Sequence, residues 1–102
     1  MDKLNRTEVT VTINDMVEGI LKNQLIVMSL LVVIRDNAVE NEDSEETIKN
    51  IEWLMYLIFR DDILELGNYY IKHDFPDKED IKLEIQDYIP LMDEIKERYK
   101  EV

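Results

Sequence analysis

LIVMSLLVVI, residues 25–34, carries a single polar side-chain group in ten residues, the hydroxyl of Ser29. A run this long and apolar is either a strand buried on both faces or the middle of a buried helix. Its neighbours favour the helix. Asp15, Glu18, Lys22, Ser29 and Asp36 recur in steps of three, four and seven, so they form one narrow stripe on a helix. The remainder is apolar all round, which marks a helix covered on most sides. The β-branched Ile26, Val27, Val32, Val33 and Ile34 keep a strand reading open.

Upstream, Thr12-Ile-Asn-Asp15 has the spacing of a capping box and predicts a first helix over 13–38. Before it, TEVTVTI (7–13) alternates Val9, Val11 and Ile13 with polar residues, which predicts a strand or extended arm over 1–12. Downstream, RDNAVENEDS (35–44) is a polar connector. Asp43 or Ser44 caps a second helix over 45–66, with Glu45 and Glu46 in its first turn. Its centre, WLMYLIF (53–59), is again apolar on every side, and Gly67-Asn68 reads as its stop. Asp77 and Asp80 make a second box-like start.

A third helix follows over 78–101. Ile81, Ile85, Tyr88, Met92, Ile95, Tyr99 and Val102 alternate steps of four and three, a seam of the heptad kind. Pro90 falls opposite that seam, which predicts one kinked helix rather than two short ones. The expected architecture is therefore a mainly α, three-helix bundle in one domain, 1–102, with an N-terminal arm. Two helices that are apolar on nearly every side need a further cover, and a second copy is the simplest one, so a homodimer is expected.

The 102 residues suit a single core, and a net charge of −12 repels nucleic acid and anionic lipid. Without cysteine, disulfides, zinc–thiolate sites, iron–sulfur clusters and thiol catalysis are excluded. A secretory leader is not expected, because the apolar run begins too late. Nor is a membrane span, since Lys22, Asn23 and Gln24 on one side and Arg35, Asp36 and Asn37 on the other bound a run well short of about 20 residues. A cytoplasmic protein is expected.

Catalytic chemistry finds little material. The one histidine, His73, has Asp74, Asp77 and Asp80 nearby, a set that would suit a metal or small ligand, although a solvated turn histidine is the plainer reading. Ser29 and Ser44 lack a base, and Gly19 and Gly67 cannot build a phosphate-cradling loop. No enzyme, cofactor or metal is expected.

The acids are better organised. Asp80, Asp87, Glu94 and Glu101 recur every seven residues along one flank of the third helix, with Glu84 between them. Lys82, Lys96 and Lys100 line the other flank. Glu40, Glu42, Asp43, Glu45 and Glu46 form a second cluster and Asp61, Asp62 and Glu65 a third, while Tyr69, Tyr70 and Phe75 suit aromatic anchors and core positions equally. This pattern points to a basic protein partner, one whose nucleic-acid-binding surface the acids would occupy, rather than to nucleic acid itself. In size, acidity and lack of catalytic residues the profile is similar to phage anti-CRISPR and anti-restriction proteins and to bacteriocin immunity proteins, though it carries no family motif. The alternative is a structural or regulatory helical subunit whose apolar helices make the contact.

Overall fold

The structure, a computed structural model, describes the backbone of residues 6–99 and the side chains of 12–99. Helix α1 spans Arg6–Glu40 and α2 spans Glu45–Leu57. A π-helical segment, Ile58–Ile63, joins α2 without a break to α3, Leu64–Lys72, and α4 spans Lys78–Arg98. The result is three helical rods, with no strand among the described residues. Cross-links set their directions. Asn14, Gln24 and Arg35 of α1 pair with Tyr69, Asp62 and Glu52 respectively, so the central rod runs antiparallel to α1. Arg98, at the far end of α4, also reaches Glu52, so α4 turns back parallel to α1.

The core is one cluster shared by all three rods, built on Leu21, Leu25 and Met28, on Met55, Phe59, Ile63 and Tyr70, and on Ile81, Ile85, Met92 and Ile95. Along the seam Ile81, Ile85, Met92 and Ile95 are buried and Tyr88 and Tyr99 half-buried, and α4 runs unbroken through Pro90, which is exposed. The π segment keeps the central rod in phase. Met55, Phe59, Ile63 and Gly67 are buried at steps of four. Four residues of α-helix overshoot a full turn by about 40°, so three such steps would swing the apolar face away from its neighbours. The wider π turn absorbs the excess.

Several sequence expectations are corrected. Residues 7–13 are helical, part of α1, and not a strand or arm. Alternating Thr and Val cost a helix only a few tenths of a kcal/mol each, and no strand among the described residues is available to pair with them. Thr12 and Asp15 therefore lie inside α1, and their capping box does not form. Gly67 does not stop the central rod. It lets α3 approach α4, since a Cβ there would stand 2.5 Å from Cδ1 of Ile85. Asp77 does precede α4, but its side chain makes no cap hydrogen bond. It accepts instead from the Tyr70 hydroxyl and from Lys22 Nζ. The parts of the seam and acid row at Lys100, Glu101 and Val102 lie outside the described residues.

Both turns use the same device. Asp43 N–H donates to Ala38 O and Glu42 N–H to Val39 O, while Phe75 N–H donates to Tyr70 O and Asp74 N–H to Ile71 O. These are paired Schellman closures, with Glu42 and Asp74 at φ 58° and 59° in the left-handed position glycine usually fills. Ser44 then caps α2, its hydroxyl accepting from Thr47 N–H at 3.2 Å.

Candidate functional site

The expected acids divide into two groups. On α4, Asp80, Glu84 and Asp87 are exposed and form no ion pair among the described residues. Glu94 is also exposed and pairs with Arg98 at 3.2 Å. In the third cluster Glu65 is exposed, but Asp61 is held by its neighbour Arg60, which keeps its carboxyl below the usual range. Asp62 accepts a hydrogen bond from Gln24 Nε2 at 2.5 Å and ties α1 to the π segment. Asp80, Glu84 and Asp87 thus form an uncompensated acidic row on α4, and Glu40, Glu42, Asp43, Glu45 and Glu46 around the α1–α2 turn are likewise exposed and in no ion pair among the described residues.

Of the three aromatic candidates, two are core residues. Tyr70 is fully buried and Phe75 nearly so, stacked on each other with ring centroids 4.0 Å apart. Burial, then the bond to Asp77, push the Tyr70 hydroxyl up to about 12. Tyr69 is half-buried, donates to Asn14 Oδ1 at 2.8 Å and stacks on His73. The exposed aromatic is instead Trp53, which lines a groove of about 360 Å³ with Tyr56, Arg60, Ile95, Lys96 and Tyr99. The all-round apolar look of WLMYLIF hides this, because periodicity alone does not say which side faces out.

His73 sits at the end of α3 with Nδ1 2.9 Å from Tyr69 O. Asp74 is engaged by Lys78, and Asp77 by Tyr70 and Lys22. Among the described residues no three His, Asp or Glu side chains converge on a metal position.

The largest feature is the outer apolar surface of α1, which the expectation of a helix needing further cover anticipates in kind but not in its residues. Of fourteen exposed large hydrophobics among the described residues, eight belong to α1, each 44–59% exposed. Seven of them (Ile13, Met16, Ile20, Ile26, Leu30, Val33 and Ile34) lie on the side of α1 turned away from Leu21, Leu25 and Met28. Covering one such half-exposed side chain contributes about 1 kcal/mol, half the value of full burial. The strip is ordered. Ile13, Ile20, Val27 and Ile34 recur every seven residues, and Met16, Asn23, Leu30 and Asn37 interleave them in the other heptad register. No charged residue occupies either series. Gly19 lies on the same side, and a Cβ added there would meet nothing within 4 Å. The sequence signal is present, but LIVMSLLVVI masks it by being apolar on the inner side too.

By length and composition Thr12–Glu40 is also long and apolar enough to cross a membrane. A count confined to residues 25–34 misses this, since apolar residues continue back beyond Gln24 to Ile13. The chain matches no protein-family model, and no curated protein or solved structure is similar to it.

Proposed function

We propose that this protein is a non-catalytic, cytoplasmic binding protein that works as an assembly, with the α1 strip covered and the acidic side of α4 presented to a basic partner. The partner's surface is of the kind that binds nucleic acid, and the protein inhibits by occupying it. The observation that carries this reading is the row Asp80, Glu84 and Asp87, exposed on one regular helix without a compensating cation among the described residues. Seven residues of helix rise about 10.5 Å, so the row sets negative charges along a fixed line, loosely as a phosphate backbone does. Such a surface speeds association with a basic partner and makes it salt-sensitive. Anti-defence and immunity proteins act in this general way, and the likeness extends to size and acidity only.

A second reading follows from the α1 strip. There the protein is a structural or regulatory helical subunit, and the acids keep it soluble. Charge reversal separates the two. The triple variant Asp80→Lys, Glu84→Lys, Asp87→Lys changes only exposed positions, so it should fold normally. Under the inhibitor reading it no longer captures the basic partner that the native chain retains at low salt. Undiminished capture would leave the subunit reading standing alone.

A further inference from the structure

We infer that the outer strip of α1 pairs with the same strip of a second copy, as a parallel, in-register, two-stranded coiled coil. This rests on the assembly half of the reading above and is independent of the acidic half.

The choice of occupant comes from the order within the strip. One heptad series is β-branched throughout and the other holds Met, Leu and Asn. Ile or Val at a with Leu three residues on at d favours two parallel strands, the reverse order favours higher oligomers, and here the β-branched series stands three residues ahead of the other, at a. Asn23 and Asn37 lie two heptads apart in the same series. In a parallel pair in register each faces its own counterpart, and one amide donates to the other's carbonyl. In an antiparallel pair that series faces the β-branched one, so each amide would be buried against Ile or Val without a partner.

Charge agrees. The flanking Gly19, Ile26 and Val33 are uncharged, and Glu40 charges that flank only at the last residue of α1, so two chains of net charge −12 meet along a line that is neutral up to its end. A lipid occupant would bury both amides in hydrocarbon unpaired, and a chain this acidic is repelled by anionic membranes.

The chain has no cysteine, so single cysteines report the pairing cleanly. Under mild oxidation Asn23→Cys and Leu30→Cys should convert most of the protein to a covalent dimer, and Ser29→Cys, on the polar stripe, should convert little. Leu30 is 56% exposed and so is not needed for the single-chain core. Leu30→Glu should therefore give a monomer with unchanged helicity. A dimer that Asn23→Cys fails to cross-link would overturn the parallel register. A native chain that is monomeric and floats with phosphatidylcholine vesicles would overturn the pairing and name lipid as the occupant. Loss of partner capture by the α4 variants with cross-linking intact would uphold the pairing and bear on the acidic reading alone.

Discussion

Nη1 of Arg98 lies 2.6 and 2.5 Å from the two carboxylate oxygens of Glu52, a side chain with no exposure to solvent. Arg35 of α1 donates to the same carboxylate at 3.1 Å and the Tyr99 hydroxyl at 2.6 Å. One buried acid therefore ties all three rods together at one end of the bundle. Glu52→Ala would leave Arg35, whose side chain is 16% exposed, with only the exposed Asp36 as counter-charge. Breaking a buried pair from one side costs about 3–5 kcal/mol. Solvent reaches Arg98, so the lower end of that range is expected in urea unfolding. A loss under about 1 kcal/mol, the scale of an exposed pair, would mean the cluster is not formed.

The same carboxylate sets a pH dependence. Burial pushes Glu52 up, but hydrogen bonds from Tyr99 and Arg98, with the charge of Arg98, outweigh it and hold the group below its ordinary value. Asp77 is also lowered, first by the Tyr70 hydroxyl. A lowered folded-state value means the unfolded chain binds more protons. The stabilisation is thus complete above the ordinary carboxylate range and is lost as pH falls through the folded-state values. Urea midpoints should be level near neutrality and fall in acid, and the fall should shrink in Glu52→Gln.

Glycine replacement should distinguish open from packed backbone. Gly19 has free space around it, so Gly19→Ala should stabilise α1 by about 0.5–1 kcal/mol. Gly67→Ala gains the same helix propensity but drives its Cβ against Ile85. Its melting temperature should rise less than that of Gly19→Ala, or fall. An equal rise in both would contradict the close packing of α3 on α4.

The rods are legible in the sequence where one property varies along the chain. The α4 seam is correct because its apolar residues stand among charged ones. The Ser44 cap and the Glu45–Glu46 first turn are legible for the same local reason. In α1 and α2 apolar residues occupy both sides, so periodicity gives helices but not their orientation. That is why the sequence leads to an outward apolar face on α1 but not to the residues of its strip, nor to the exposure of Trp53. The misreadings at 7–13 and at Gly67 have another origin. There a local preference of under about 1 kcal/mol is set against contacts distant in the chain, such as Tyr69 on Asn14 and Ile85 on Gly67. The acid row on α4 is exposed as its spacing suggests, but the capture of Asp62 by Gln24 depends on rod pairing that a local reading does not reach.

Sedimentation equilibrium of the native chain at micromolar concentration, in low and high salt, tests most directly whether α1 is an assembly surface. The chain mass is 12.2 kDa, so a pair weighs twice that. The paired mass is expected, held more tightly in high salt because screening weakens repulsion between two acidic bodies. A single-chain mass at both salt concentrations would contradict it.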